Sequence, residues 1–482
     1  MKNIIAFISL PLFAGFGFLV ISAGAPSSLK RPNVLVILVD EWRAQSAGYS
    51  GEKDVITPNL DQFAAGSANL VNAVSGMPVC TPFRASFMTG QRPLTNGIFM
   101  NDVLLDTNAT SIAKVFAKNG YATGFIGKWH LDGQYRLNYT APGARRQGFK
   151  YWKAVNCDHD YNNDVYYDND DTSRHHWPGY DVFAQTDDAV NYIQERAGKA
   201  DPFFLVLSLA PPHDPYHTAP EQFRKMYDPA SLSLRPNVPK EIAASVRRDL
   251  AGYYAHMTAI DFALGKLLNS LKEQHLLDNS IVLFTSDHGD LLGSQGAYFK
   301  QRPYDESIKV PMLFHASAAN GIKQGRYNAM INSEDIMPTL LGLCKLPIPT
   351  TVEGVDFSSY LGGNVKDPKD TVALLSCVQP FGQWTRGMGG KEYRGIRTPH
   401  YTYVCDLNGP WLLFDNERDP YQQKNLVNMT DFTTLRARLD KILKLKLKQS
   451  GDRFLPGAYY VKKFNYPALN ARETVPYYNV YY

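Results

Sequence analysis

The chain has 482 residues, 44% of them hydrophobic and 20% charged, and its formal net charge at pH 7 is +4. This composition suits a large folded core and excludes a disordered or fibrous chain. The charge is small for the length, and no block of lysine and arginine indicates a nucleic-acid-binding protein. We therefore expect one large domain, or a large and a small one, with a mild preference for anionic substrates.

Residues 1–25 have the pattern of a secretory signal peptide. A charged start is followed by an apolar run over residues 4–21 and then by small residues over 22–25. The alternative is a transmembrane anchor, but the run is short and is interrupted by proline and glycine. We therefore expect export to the periplasm or the medium, removal of residues 1–25 and no stable membrane anchor.

The strands of a mostly parallel sheet are predicted from long apolar runs. Pro32–Asp40 is continuous, β-branched and ends in an acid, which is typical of a buried parallel strand. The same pattern recurs at Phe203–Ala210, Ser280–Ser286 and Val310–His315. A short strand is predicted at Tyr121–Ile126, and helices at Ser111–Asn119, Thr186–Glu195 and Tyr253–Gln274. This alternation predicts an α/β fold, a large mostly parallel sheet flanked by helices, with its chemistry beyond the carboxyl ends of the strands.

The pattern changes near residue 371. Tyr393–Cys405 and Trp411–Asp415 alternate and are bounded by turns, as antiparallel strands are, and Lys424–Lys448 includes one helix. We therefore expect a catalytic domain over 26–370 and a smaller C-terminal α+β subdomain with an antiparallel sheet over 371–482.

The segment Asn156–Tyr180 is dense in Asp, Asn, Tyr and His. A solvated surface insertion is the favoured interpretation. The alternative is a loop that shapes a substrate pocket, as long loops over α/β sheets often do.

The motif C-x-P-x-R-x-x-x-x-T-G runs from Cys80 to Gly90 and includes Pro82, Arg84 and Thr89. Pro82 favours a helix start, and Arg84 falls one turn into that helix. A helix N-terminus presents free N–H groups and a partial positive charge, which together favour an anion. The motif therefore predicts an anion site with Cys80 at its centre.

This motif resembles the signature of the type I, formylglycine-dependent sulfatases of the alkaline phosphatase superfamily. The resemblance implies an alkaline-phosphatase-like fold and oxidation of Cys80 to formylglycine (3-oxoalanine), whose hydrated aldehyde offers the nucleophile. It also implies a modifying partner, either a formylglycine-generating enzyme or an anaerobic sulfatase-maturing enzyme. Further motifs of the family follow in the same order over nearly the whole mature chain.

Acidic residues after two predicted strands indicate a metal site. Asp40 and Glu41 end the first strand, and Asp287 and His288 end a later one. Oxygen ligands of this kind suit a hard cation. The resemblance implies calcium, with magnesium as the alternative, bound by these four residues and by the modified Cys80. Glu41 departs from the family pattern, in which Asp, Gln or Asn is more frequent, and its longer arm allows a different coordination.

Basic residues follow other predicted strands. The resemblance implies that Lys128 and His130 support the formylglycine hydroxyls, with His130 as the base for sulfate release. By the same resemblance, His213 and Lys300 bind the sulfate and assist the leaving oxygen. Arg84, Lys128 and Lys300 are then expected to neutralise the sulfate oxygens, because preorganised charge is commonly the largest catalytic contribution.

The resemblance implies a hydrolase of sulfate monoesters. Export and aromatic-rich loops favour a sulfated carbohydrate, attacked at chain ends or internally. The alternatives are a phosphodiesterase or phosphonate monoester hydrolase, which some relatives are, and a non-catalytic glycan-binding protein with the same fold. Candidate sugar contacts are His175, His176, Trp177, Tyr180, Arg302, Trp384 and Arg386.

The five cysteines lack the spacing of a zinc site. An odd number in an exported chain leaves at least one thiol without an intramolecular partner. With Cys80 set aside, the other four allow two disulfides.

Overall fold

The computed structural model of the protein describes residues 31–317, 320–365 and 371–479. The predicted signal peptide lies outside these residues, and the predicted boundary at 370/371 falls at the edge of a gap. Among the described residues, ten strands form one sheet. They are β1 Asn33–Asp40, β2 Ala68–Leu70, β3 Ala122–Lys128, β4 Tyr151–Val155, β5 Val165–Asp168, β6 His175–His176, β7 Phe203–Pro212, β8 Ser280–Ser286, β9 Met312–His315 and β10 Gly325–Tyr327.

The strand order is β10-β2-β9-β8-β1-β7-β3-β4-β5-β6. The five strands from β8 to β4 are parallel, and this part of the sheet confirms the predicted α/β fold. The prediction for Val310–His315 was wrong in direction, because β9 runs antiparallel to β8. Helices and loops cover both faces of β9, so its apolar run indicates burial and carries no information on direction.

The helices are α1 Pro58–Ala65, α2 Cys80–Thr89, α3 Pro93–Asn96, α4 Ile112–Lys118, α5 Asp181–Arg196, α6 Glu221–Arg224, α7 Ala243–Glu273, α8 Asp305–Ile308, α9 Ile336–Leu343, α10 Ser358–Leu361, α11 Thr433–Gln449 and α12 Gly457–Lys463. The helices predicted around 111–119, 186–195 and 253–274 are confirmed as α4, α5 and α7. No helix in the described part of the chain is both long and apolar enough to cross a membrane.

The central strand β1 contributes to two apolar cores because successive side chains point to opposite faces of the sheet. Leu35, Ile37 and Val39 pack with α5 and α7 on one face. The alternate residues, which begin with Val34, pack with α2, α4 and α9 on the other. The sheet is therefore held between two layers of helices, and the carboxyl ends of its parallel strands meet at one edge.

A second sheet follows in the C-terminal part, as predicted. Its strands, in spatial order, are β11 Ala373–Cys377, β12 Tyr393–Arg397, β13 Tyr401–Asp406 and β14 Gly409–Asp415. All three pairings are antiparallel. Leu439 and Leu443 of α11 pack against one face of this sheet, where they meet Ile396 and Leu413. The predicted helix within 424–448 thus corresponds to α11.

Candidate active site

Four parallel neighbours, β8, β1, β7 and β3, end at the same edge of the large sheet. The polar residues that follow them converge there, as the strand pattern predicted. Cys80 joins them as the first residue of α2. Its Sγ lies 3.2 Å from Nε2 of His288 and 3.6 Å from Oδ1 of Asp40. The motif ends at Gly90, whose φ of +65° closes the helix with an N–H bond to the carbonyl of Ser86.

The Cys80 thiol is a poor nucleophile in this position. Burial, reinforced by the negative charge of Asp40, raises its pKa to about 12. The thiolate is the reactive form of cysteine, and a raised pKa keeps it scarce at neutral pH.

Arg84 braces the acidic residues and does not line the open cleft described below. One terminal nitrogen donates to the carbonyl of Lys128 and to Oγ of Ser208, both at 2.7 Å. The other lies 3.2 Å from Asp40 and 3.4 Å from Asp287. Arg84 is 1% exposed. It therefore compensates the buried carboxylates, and its predicted role in neutralising the sulfate oxygens stays a prediction.

Asp40, Cys80, Asp287 and His288 each offer one ligand atom, and these atoms lie within 4.8 Å of one another. His288 donates from Nδ1 to the carbonyl of Gly289 at 3.0 Å, so its unprotonated Nε2 faces the cluster. Burial opposes ionisation of Asp40, but the positive charge of Lys128 and its neighbours prevails and holds the pKa well below the usual range. Two carboxyl groups beside an imidazole nitrogen that is free to act as a ligand fit a divalent cation.

Glu41 lies at the margin of this cluster. Its backbone is left-handed, with φ of +69°, and its Oε2 is 3.1 Å from Nε2 of His213 and 3.4 Å from Nζ of Lys300. Its buried Oε1 has no hydrogen-bond partner among the described residues. Glu41 groups with Asp40 and His213 as an alternative ligand set. Its predicted role as a metal ligand stays a prediction.

Lys300 and His213 are in direct contact. The Nζ atom of Lys300 lies 2.6 Å from Nε2 of His213, whose Nδ1 is 2.8 Å from the carbonyl of Asp214. Since a carbonyl only accepts, Nδ1 carries the imidazole proton and Nε2 accepts from the lysine. Burial and the charge of Lys300 lower the pKa of His213 well below its ordinary value.

His159 also contacts this group, although the sequence gave no candidate role for it beyond its place in the segment 156–180. Its ring stacks on His213 with the centroids 4.5 Å apart, and its Nε2 is 3.3 Å from Nζ of Lys128. Lys128 also pairs with Asp40 at 2.6 Å. The segment therefore both adds edge strands to the sheet and contributes to the site, so each interpretation describes part of it.

His130 is oriented by a carboxylate that the sequence did not indicate. Its Nε2 is 3.4 Å from Oδ1 of Asp102, and its buried Nδ1 has no partner in the described structure. Arg136 binds both oxygens of Asp102 at 2.7 Å. Burial would raise the pKa of Asp102, but hydrogen bonds from His130 and Arg136 lower it to about 2. Asp102 thus fixes the tautomer in which Nδ1 of His130 is a free acceptor.

These groups border a cleft of about 520 Å³, here called the catalytic cleft. Positive side chains outnumber negative ones in its wall, which suits an anionic substrate. Its charged and histidine residues are Asp102, Lys128, His130, Arg136, His159, His213, Asp214, Lys300 and Arg472. Asp102, Arg136, Asp214 and Arg472 lie far apart in the sequence without a motif, so only the fold brings them together.

The seven predicted sugar contacts do not line this cleft in the described structure. His175 and His176 form the edge strand β6 and bond to Asp171 and Asn163. Trp177 stacks on Tyr166 at 3.9 Å, and Tyr180 bonds to His256 at 2.6 Å, both in the core. Trp384 is buried beside Trp411, and Arg302 lies over the ring of Trp384. Arg386 pairs with Glu392 and Glu473. In these segments the aromatic side chains contribute to packing within the protein.

All five cysteines lie in the described part of the chain and are buried free thiols. The two disulfides that the sequence allowed are therefore not formed. Burial would raise the pKa of Cys157, but the electrostatic effects of His130, Lys128 and Arg136 outweigh burial and lower it.

Comparison with known proteins decides the family. The sulfatase family model matches residues 32–346, and the model for the C-terminal part of N-sulphoglucosamine sulphohydrolase matches residues 293–449. An ulvan-active sulfatase from Formosa agariphila is 44% identical over 93% of this chain and 87% of its own length. The chain belongs to the sulfatase family.

Other relatives of this sulfatase agree. An endo-4-O-sulfatase from Bacteroides thetaiotaomicron is 31% identical over 82% of this chain and 88% of its own. A solved structure from the same organism, reported in work on glycosaminoglycan metabolism, is 28% identical with a TM-score of 0.78 and covers 93% of this chain and 100% of its own. The sulfatase is thus a sulfuric ester hydrolase of the alkaline phosphatase superfamily, as the Cys80 motif had implied.

Proposed function

We propose that this sulfatase hydrolyses sulfate esters of a carbohydrate polymer, of which ulvan is the first candidate. The observation that carries the proposal is the convergence of Cys80, Lys128 and Lys300 on a cationic cleft beside a ligand cluster. Similarity to the ulvan-active sulfatase supports the carbohydrate, and similarity to the endo-acting relative supports attack within chains.

The side chains around Cys80 would accommodate two further groups, a formylglycine at residue 80 and a divalent metal ion. Residue 80, oxidised to formylglycine and hydrated, supplies a hydroxyl nucleophile, and calcium (alternatively magnesium) held by Asp40, Asp287 and His288 supplies positive charge beside it. The thiol with its raised pKa and the clustered ligand atoms support this pair. Glu41, through its unpartnered Oε1, is a further ligand candidate.

Lys128 and Lys300 bind and orient the sulfate in the cleft. Their ammonium groups offset the charge that gathers on the sulfate oxygens as the ester bond breaks. The proton for the leaving alcohol lies on Nζ of Lys300, because Nε2 of His213 accepts from it. His213 keeps the lysine in place by accepting this hydrogen bond.

His130 acts as the base. Its Nδ1 is unprotonated when Nε2 donates to Asp102, and this buried atom has no other partner in the described structure. It can therefore remove the proton whose loss precedes sulfate release. Arg136 keeps Asp102 ionised and correctly oriented for this step.

The proposal includes export and maturation. Residues 1–25 have the pattern of a signal peptide, and the Cys80 motif is the segment that a formylglycine-generating or anaerobic sulfatase-maturing enzyme would modify. An exported location fits a polymer that is too large to enter a cell.

Sulfate release tests the activity. Protein produced with a maturing enzyme is incubated with ulvan, with glycosaminoglycans and with aryl sulfate and aryl phosphonate esters. We expect free sulfate from ulvan and faster turnover of the aryl sulfate than of the phosphonate. Faster turnover of the phosphonate, without sulfate from any polymer, would contradict the proposal.

A further inference from the structure

A second cleft, of about 910 Å³, lies apart from the catalytic cleft. The loop after β1, α8 and the ends of β12 and β14 contribute to its wall. Among the described residues, none lines both clefts. Its volume is in the range of ligand-binding pockets, and nothing in the proposed reaction uses it.

Four cations gather in one corner of this second cleft, here called the cationic corner: Arg235, Lys309, Arg326 and Arg397. Two of them have carboxylate partners. Arg397 donates to both oxygens of Asp305, at 3.0 and 2.9 Å, and Arg235 pairs with the buried Glu306 at 2.9 Å. The corner thus holds four positive charges against two negative ones.

The other two cations are unpaired. Lys309 and Arg326 have no side-chain hydrogen bond or ion pair within the described part of the chain. Lys309 is half-buried and Arg326 is exposed. Burial and the charges of the nearby arginines, which outweigh Asp305, lower the pKa of Lys309 to about 8. An anion placed between these side chains would relieve their mutual repulsion.

Acidic residues in the rest of the wall already have hydrogen-bond or ion-pair partners within the protein. Elsewhere in the wall, Glu52 and Asp54 accept backbone N–H groups of Asp54 and Ser233. At another part of the wall, Glu417 pairs with His400 at 2.7 Å. The cationic corner is therefore where a polar, negatively charged ligand finds unused donors. Tyr421 also lines the cleft, and the guanidinium of Arg235 lies over its ring at 4.9 Å.

We propose that the cationic corner binds a second sulfate group of the polymer whose sulfate ester is cleaved in the catalytic cleft. This inference rests on the proposed function, because a sulfated polymer carries several such groups on one chain. Guanidinium and ammonium donors match sulfate oxygens through charge-assisted hydrogen bonds. Two linked contacts strengthen binding of a polymer without adding anything for a small ester.

The test compares Arg326→Gln and Lys309→Gln with a matched control, Arg438→Gln, which changes an exposed arginine on α11. Kinetics are measured with ulvan and with 4-nitrophenyl sulfate. We expect each cleft variant to raise the KM for ulvan roughly 10- to 100-fold, since each would lose a hydrogen bond to a charged group. Its kcat/KM for 4-nitrophenyl sulfate and all constants of the control should stay at the wild-type values.

A binding measurement completes the test. Retention of Cys80→Ala protein on native ulvan should weaken when Arg326→Gln is added, and retention on chemically desulfated ulvan should not change. An unchanged KM in both cleft variants, or Arg326-dependent retention on the desulfated polymer, would overturn the inference and leave the proposed function intact. If wild-type protein turns over the aryl sulfate but releases no sulfate from any polymer, the proposed function fails and the second site with it.

Discussion

The Nζ atom of Lys300 and Nε2 of His213 lie 2.6 Å apart at the catalytic cleft. The carbonyl of Asp214 occupies the other imidazole nitrogen at 2.8 Å, so the shared proton lies on the lysine. The pair is therefore a cationic donor held by a neutral histidine, and this arrangement supports Lys300 as the proposed acid.

Replacement of Lys300 should affect esters unequally. In Lys300→Met the acid is lost, and we expect kcat/KM to fall by about 10² or more for a sugar sulfate, whose alkoxide needs a proton. With 4-nitrophenyl sulfate the fall should be smaller, because nitrophenolate leaves without one. The ratio of the two losses is the measurement, and equal losses would contradict the acid role.

Asp102→Asn tests the orientation of His130. An amide in place of the carboxylate can donate to Nε2, which shifts the imidazole proton to Nδ1 and removes the base. We expect kcat to fall about 10²-fold or more with little change in the first, rapid release of alcohol. Stopped-flow measurement with an aryl sulfate should show a burst in the variant. Loss of the burst together with the steady-state rate would place His130 in the earlier step.

His159→Ala should weaken transition-state binding, because His159 positions Lys128 by a hydrogen bond and His213 by stacking. A hydrogen bond to a charged group is worth ~1.5–3 kcal/mol, so kcat/KM should fall roughly 10- to 100-fold. His159→Gln, which retains an acceptor, should recover part of the loss. Equal activity of the two variants and the wild type would exclude this positioning role.

Much of this architecture could be predicted, and particular residues show why. Asp40 and Lys128 end buried strands, His213 and Asp287 follow them, and parallel strands bring their carboxyl ends to one edge. Cys80 was identified because its motif lies within one short, continuous segment of the sequence.

What the sequence did not reveal depends on tertiary contacts. Asp102 and Arg136 meet His130 from other loops. Tryptophan side chains such as Trp177 and Trp384 are suited both to a core and to a sugar-binding site. The residue type therefore could not distinguish packing from binding. The direction of β9 is likewise set by how the chain returns to the sheet.

Metal removal should separate the two interpretations of Glu41. Chelation should lower the Tm, since a ligand that binds only the folded state stabilises it, and added calcium should restore it. If Glu41 is a ligand, Glu41→Gln should weaken calcium binding tenfold or more, as measured by the calcium dependence of the Tm. Asp61→Asn, on α1 away from the cleft, is the control. Unchanged calcium dependence in Glu41→Gln would limit this residue to holding His213 and Lys300.

The central claim is that residue 80 acts as a modified nucleophile at a metal, and mass spectrometry of its tryptic peptide tests it most directly. Protein from the native host, or from cells with a maturing enzyme, should yield the aldehyde form of the Cys80 peptide, and the peptides of Cys157 and Cys377 should remain thiols. The fraction modified should track specific activity across preparations. A fully active preparation in which Cys80 is an unmodified thiol throughout would contradict the account.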